Sequence, residues 1–295
     1  MGRAYVAGLR AALYRWPVVL VLFLASLASG LSVAAAAWSW LSLALGKSLA
    51  TRSLLAHLDA QVFIDLFAHH GESFQGLLIA AVVMALFFAL VGVWLNAVAV
   101  VAVGEQSALS DCLVSGFAIY PTYLGLWALV NLLNVATVAA LVFASRGLVR
   151  WTAESASEMT FYWIIGASTI IGLLLLLFFT AVHDHARIRS AATGAGAVRA
   201  LGWAFAFVGR REARALPLAV LLLASSFSLW AVYQTVGMLI TANSAFGVTL
   251  SLLWGEVLLL GRMGLRVWWF AAETELQLGR EAVPWPQARS DRSAA

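Results

Sequence analysis

Six long apolar stretches dominate the sequence, and two of the segments that connect them are long. A helix needs roughly 20 apolar residues to cross a bilayer core of about 30 Å, and each stretch is long enough. The runs are continuous, which indicates helices, because strands of a membrane barrel would alternate polar and apolar residues. The pattern predicts an all-α, polytopic membrane bundle of about six transmembrane helices at residues 17–41, 76–103, 121–144, 161–182, 217–240 and 247–272.

Composition favours the same class of protein. Hydrophobic residues make up 63% of the chain and charged residues 11%, against about 25% charged residues in soluble domains. So few charges cannot supply the polar surface that a water-soluble fold of this length needs. Residues 1–279 are therefore predicted to form a single transmembrane domain, and residues 280–295 a polar cytoplasmic tail. The first apolar run is longer than the core of a signal peptide, so we expect it to remain as an anchor.

The distribution of basic residues predicts the orientation. If the N-terminus is inside, most of the 18 lysines and arginines fall on the inner side of the membrane. By the positive-inside rule, both termini are then cytoplasmic. The net charge is +4. Because the basic residues flank membrane helices, we expect them to face anionic lipid and expect no nucleic-acid partner. The inner set comprises Arg3, Arg10, Arg15, Arg187, Arg189, Arg199, Arg210, Arg211, Arg214, Arg262, Arg266, Arg280, Arg289 and Arg292.

Three prolines mark a repeated layout. Pro17, Pro121 and Pro217 each stand where a predicted outward span begins, and proline fits a first helical turn because the missing N–H would be unpaired there. A short amphipathic segment precedes each proline, at residues 9–14, 108–119 and 198–208. The layout predicts three helical hairpins, each introduced by an amphipathic helix on the inner face. Internal duplication and the general preference of proline for helix starts both explain it.

Two connecting segments have helical patterns of their own. Residues 54–69 place apolar and polar side chains on opposite faces, which predicts a helix lying in the outer interface. In the inner loop, the glycine-containing segment at 193–196 predicts a break between helices. Beyond it, we expect Val198, Leu201, Phe205 and Val208 to form an apolar stripe.

Several polar residues lie deep in the predicted spans. Glu256 falls near the middle of the sixth span, and Asn131 and Asn134 near the middle of the third. An ionisable group at such depth costs about 2.5–3.5 kcal/mol on insertion scales and generally faces a partner or a cavity. Glu256 therefore marks either a substrate or ion path, or a structural hydrogen bond between helices. Arg262 lies about 9 Å further along the same helix, at 1.5 Å per residue.

These polar groups also predict how the last span packs. We expect Glu256 to contact Asn131 or Asn134, which match it in depth. Near the inner face, Arg266 is expected to pair with Asp184 at the end of the fourth span. The sixth span should then pack against the third and fourth.

No residue pattern is typical of catalysis, of a cofactor or of a metal. The single cysteine, Cys112, excludes an internal disulfide. His183 and His185 flank Asp184, but positions two apart do not share a helix face. Phosphate-binding loops, serine-nucleophile elbows and zinc-protease motifs are missing. We expect no catalytic residues, no cofactor, no metal site and no enzymatic activity.

The segment His183-Asp184-His185-Ala186-Arg187-Ile188 resembles an Asp-x-Ala-Arg-Ile cytoplasmic segment of uncharacterised bacterial six-pass inner-membrane proteins. The closing helix, with Arg262, Arg266 and Trp268, is similar to theirs. The layout is also loosely similar to the membrane domain that accompanies some glycerophosphodiester phosphodiesterases. The resemblance implies six spans and a bacterial cytoplasmic membrane, and it supplies no catalytic residues.

Three classes of function remain open on the sequence. A non-catalytic membrane subunit that binds another membrane protein fits the lack of catalytic chemistry and the two amphipathic segments. A transporter or channel would use a polar site around Glu256 and Asn131. A lipid-processing membrane enzyme is the third class, and it lacks an acid–base or metal set. Apart from the lipid bilayer, the expected partner is another membrane protein or subunit.

Overall fold

The computed structural model describes residues 2–45, 60–104, 108–152, 158–210, 214–240 and 244–281. Within these ranges the chain is entirely α-helical apart from short turns. Six of the helices there are long and apolar enough to cross a membrane, which confirms the predicted helical membrane bundle. In chain order the helices are α1 (Gly2–Tyr14), α2 (Trp16–Leu45), α3 (Ala60–Gly104), α4 (Leu109–Thr152), α5 (Glu158–Thr193), α6 (Ala197–Gly209), α7 (Ala215–Gly237) and α8 (Ala245–Glu281). All but α1 and α6 are of spanning length.

Five of the six spanning helices are longer than predicted, whereas α7, with 23 residues, is slightly shorter than the predicted span 217–240. With 36 residues in α5 and 37 in α8, the two helices measure about 54 and 56 Å at 1.5 Å per residue. Both exceed a hydrocarbon core of about 30 Å. Their C-terminal turns therefore extend beyond the apolar part of the span, and these turns carry the polar side chains described below.

The three prolines do not play the same part. Pro17 and Pro217 lie in the first turns of α2 and α7, as predicted. Pro121 lies inside α4, which already begins at Leu109, so the predicted helix start there is wrong. Proline removes one N–H and leaves the other backbone groups able to bond within the helix. Continuing the helix therefore leaves far fewer groups unpaired than a break would.

Two short helices flank the spans as the sequence indicated. A single turn at Arg15 separates α1 from α2. α5 ends at Thr193, and Gly194 then adopts a φ of +68°, which confirms the predicted break before α6. The predicted apolar stripe of α6 is partly wrong, because Val198 is exposed. The buried face is instead Ala200, Leu201, Ala204, Phe207 and Val208, in which two alanines allow close approach.

The helix predicted over residues 54–69 does not stand alone. Residues 54–59 lie outside the described part of the chain, and residues 60–69 are helical as predicted. However, they form the first turns of α3, which continues without interruption into the second span. Nothing in the backbone separates a surface helix from the span at this point.

Contacts divide the chain into two compact units, Val21–Gly92 and the remainder. In the first unit, the rings of Trp40 on α2 and Phe74 on α3 lie 5.3 Å apart. In the other unit, α1 packs against α8 and α6 packs against α5. We call the end of this unit at which α1 and α6 lie the capped end.

Buried side chains concentrate at the capped end. The largest include Tyr123 on α4, Ile188 on α5, Leu218 on α7 and Phe270 on α8. By contrast, the most apolar windows of the six spans are only 0–22% buried. The tightly packed part of this unit is therefore the end that carries the polar turns, and most of the apolar span surface faces outward.

Candidate functional site

A set of buried polar side chains lies between the C-terminal turns of α5 and α8. On α8, Glu273 and Thr274 lie one turn before Gln277, so all three occupy neighbouring positions on one side of the helix. Every member is at most 5% exposed, although each carries charged or hydrogen-bonding atoms. We call the set the buried polar cluster: Asp184, His185, Arg187 and Ser190 on α5, and Glu273, Thr274 and Gln277 on α8.

An ion pair within α5 anchors the cluster. The Arg187 Nη1 atom lies 2.9 Å from Asp184 Oδ1, one turn earlier on the helix, and both side chains are buried. The Tyr123 hydroxyl of α4 donates a hydrogen bond of 3.0 Å to the Arg187 backbone carbonyl. Because a buried pair is sensitive to the loss of either partner, Asp184 and Arg187 form one structural element.

The predicted pairing of Asp184 with Arg266 is therefore wrong. Arg266 instead donates through Nε to Asn96 Oδ1 on α3, at 2.8 Å. Asp184 still acts electrostatically on Arg266, but without an ion pair. Arg187 pairs with the Asp184 carboxylate instead, because it lies three residues away on the same helix and reaches that carboxylate without any rearrangement between helices.

His185 connects three helices. Its Nδ1 lies 3.3 Å from Gln277 Oε1 on α8. An amide oxygen only accepts, so this geometry assigns the proton to Nδ1 and leaves Nε2 as an acceptor. The imidazole also packs against Phe207 of α6, with ring centroids 4.8 Å apart. The contacts of His185 therefore join α5 to α6 and α8.

Several atoms of the cluster are buried and have no hydrogen-bond partner among the residues that the structure describes. Both carboxyl oxygens of Glu273 belong to this group. Trp269, one turn earlier on α8, is close enough to act on Glu273, but its indole N–H does not meet hydrogen-bond geometry and is also unpaired. The other unpaired atoms at this end are His183 Nε2, His185 Nε2, Arg187 Nε and Thr274 Oγ1. Such groups are rare in native proteins and call for a physical explanation.

Helix α1 covers the neighbouring side of α8. The Trp268 indole donates to the Tyr5 backbone carbonyl at 2.8 Å, and the two rings lie 4.6 Å apart. The Tyr5 hydroxyl bonds to Ser225 Oγ of α7 at 2.7 Å. At Gly8, a Cβ would lie 2.7 Å from the backbone nitrogen of Ala272. Only glycine permits this approach, so α1 docks directly on the turn that carries Glu273.

Beside the cluster, an open cleft of about 770 Å³ lies at the turn between α5 and α6. Arg189 and Arg199 contribute to its lining, together with Trp203. The Arg189 guanidinium lies 4.8 Å from the centroid of the Trp203 ring, at a distance typical of a cation–π contact. The capped end therefore presents positive charge at its surface.

The polar residues at mid-span are not brought together. Glu256 is half-buried, and its Oε2 atom is buried without a partner within the described ranges. Asn131 is exposed, and its side-chain nitrogen donates to the Trp127 carbonyl of its own helix at 2.7 Å. Asn134 Oδ1 is buried without a donor. Arg262 is exposed and makes no hydrogen bond or ion pair within the described residues.

The packing predicted for the last span is half right. α8 packs against α5, as expected, but its other main neighbours are α1 and α7 rather than α4. The polar residues that join α8 to α5 are Gln277 and His185 at the capped end. Gln277 lies beyond the predicted end of the sixth span, so it was not among the candidate contacts. The available signal was the spacing of Glu273 and Gln277, which places them one turn apart on a face continuous with Phe270.

No group of three or more histidine, cysteine or acidic side chains in the described part of the chain could hold a metal ion. Among proteins already known, no family, curated protein or solved structure matches this chain.

Proposed function

We propose that this protein is a non-catalytic integral membrane subunit whose spans bind another membrane protein. The supporting observation is the set of polar groups on the spans that have incomplete partners within the described residues. Asn131 is exposed, and only its nitrogen is bonded, within its own helix. Glu256 and Asn134 each have a buried oxygen without a donor.

The bilayer gives these groups no alternative partner. Hydrocarbon chains neither donate nor accept hydrogen bonds, so a polar side chain at span depth is satisfied by protein or by a water-filled cavity. Asparagine and glutamate at such positions commonly join helices to one another. The exposed surface of α4 around Asn131 is therefore the surface on which a transmembrane helix of the partner would dock.

Transport through a site around Glu256 and Asn131 has less support. Such a site requires both groups to line one path, and α4 is not among the main neighbours of α8 in the described part of the chain. The open cleft at the turn between α5 and α6 is lined by residues between Arg189 and Trp203. It lies at the C-terminal end of α5, and its lining residues are far from Glu256 in sequence.

For the location, we propose the bacterial cytoplasmic membrane, with both termini in the cytoplasm. The even number of spanning helices supports termini on one side. The packing of α1 against α8 supports it as well. Arg189 and Arg199 at the capped end support an inward orientation by the positive-inside rule.

Purification from native membranes in mild detergent tests the proposed binding. Wild type should yield a complex that contains a second membrane protein in constant ratio. Asn131→Leu should lose that protein and remain folded, because Asn131 bonds only within its own helix. Val135→Leu is the matched control, since Val135 is an exposed apolar residue one turn further along α4. It should retain the partner.

Two outcomes would contradict the proposal. One is wild-type protein that purifies alone or only with further copies of itself. The other is an Asn131→Leu variant that retains the partner as fully as Val135→Leu does.

A further inference from the structure

Glu273 is the most anomalous side chain of the buried polar cluster. It is 1% exposed, and neither of its carboxyl oxygens has a hydrogen-bond partner in the part of the chain that the structure describes. The groups that act on it electrostatically are Asp184, Arg187 and Arg266. Its surroundings therefore determine whether the carboxyl can carry a negative charge.

The nearby cations are already engaged. Arg187 forms the ion pair with Asp184, and Arg266 donates to Asn96. Asp184 itself places a second carboxylate near Glu273, and like charges oppose its ionisation. A buried carboxylate without donors also lacks the hydrogen bonds that would offset its loss of hydration.

Charged groups on the remaining neighbouring helices do not change this balance. The arginines of α1 and α6 and Arg214 before α7 are exposed on the surface. Three other titratable groups face the interior here within the described residues. His185 on α5 is bonded to Gln277, the Tyr123 hydroxyl of α4 donates to the Arg187 carbonyl, and His183 on α5 is neutral or positive and supplies no negative charge.

We propose that Glu273 is a proton-binding site, which holds a proton while α1 is docked on α8 and releases it to water when α1 moves away. The ligand is a proton, and the acceptor on release is bulk water. The proton-binding site at Glu273 and the proposed binding of another membrane protein are independent of each other.

The docking of α1 on α8 closes the site to water. Ala4, Gly8 and Ala12 form the buried face of α1. Gly8 lies against Ala272, the residue immediately before Glu273, with no room for a side chain. A displacement of α1 would therefore uncover the turn of α8 that carries the carboxyl and would admit water beside it.

Infrared spectroscopy of the protein in lipid at neutral pH tests proton binding. A protonated carboxyl has a carbonyl stretch that is distinct from that of a carboxylate. Wild type should show this band, and Glu273→Gln should lose it. The matched control is Glu275→Gln, since Glu275 is exposed and lies two residues away on α8. The control should keep the band. A band that is unchanged in Glu273→Gln would show that the carboxyl is ionised and would overturn the proposal.

A second pair of variants tests the closure and needs no change at Glu273. Gly8→Leu forces α1 away from Ala272, whereas Gly2→Leu adds a side chain to the same helix where nothing lies within 4 Å. The band should disappear in Gly8→Leu and persist in Gly2→Leu. If Glu273→Gln did not fold, this comparison would still decide the question. An undiminished band in folded Gly8→Leu, with α1 newly accessible to protease, would exclude release by opening.

Discussion

Gly116 of α4 lies in a helix contact as close as that of Gly8, and its replacement by alanine tests the packing directly. A Cβ at this position would lie 2.6 Å from Val98 Cγ2, 3.0 Å from Val98 N and 3.1 Å from Val98 Cα on α3. Val98 is 1% exposed, so it has no open space into which to move. The added methyl group therefore meets backbone that cannot rotate away.

The expected magnitude follows from two opposing effects. Overpacking a well-packed contact costs about 1–3 kcal/mol. Valine cannot relieve the clash easily, because a β-branched side chain has one preferred rotamer in a helix. Replacing glycine by alanine within a helix stabilises it by about 0.5–1 kcal/mol. The net expected loss in the free energy of unfolding is about 0–2.5 kcal/mol.

A matched control removes the helix-propensity effect. Gly147 lies on the same helix and is exposed, and a Cβ added there would have no neighbouring atom within 4 Å. Gly147→Ala should therefore show the propensity gain alone. The difference in unfolding free energy between the two variants should equal the overpacking cost, about 1–3 kcal/mol.

Denaturant unfolding of both variants in the same mixed micelles, followed by circular dichroism, measures this difference. Equal stabilities for Gly116→Ala and Gly147→Ala would refute the close approach of α3 and α4. They would also remove the packing argument that places Val98 in the core.

Three further predictions address the cluster and the topology. Tyr123→Phe should lower the unfolding free energy by about 0.5–1.5 kcal/mol, because it removes the bond to the Arg187 carbonyl; an unchanged denaturation midpoint would count against that bond. Asp184→Asn should cost more, about 3–5 kcal/mol, because it leaves a buried guanidinium unpaired. A loss no larger than that of Tyr123→Phe would contradict this ranking. Reporter fusions at Ser155 and Ala195 should report opposite sides of the membrane, outside and inside respectively, and an outside signal at Ala195 would contradict the six-span topology.

Much of the fold could be predicted from local sequence properties. The length and continuity of an apolar run decide whether a helix can cross a bilayer, and this property does not depend on neighbouring helices. The six spans follow from it. The break at Gly194 and the amphipathic α1 and α6 are likewise local, since a glycine with positive φ and a helical periodicity act over a few residues.

The meeting of side chains was decided only by tertiary structure. Asp184 was predicted to pair with Arg266 on another helix, whereas it forms its ion pair with Arg187 on the same helix. Glu256 was predicted to make a polar contact with α4, whereas the dense polar packing lies at Glu273 and Gln277. In a soluble helix the apolar stripe marks the inward face. A membrane helix is apolar on every side, so its sequence does not show which face turns toward a neighbour. Successive residues of a helix point 100° apart, so the orientation of the whole helix about its axis decides which of them face a neighbour. Inter-helix contacts such as those of Gly8 and Gly116 set that orientation, and these contacts exist only once the helices have packed.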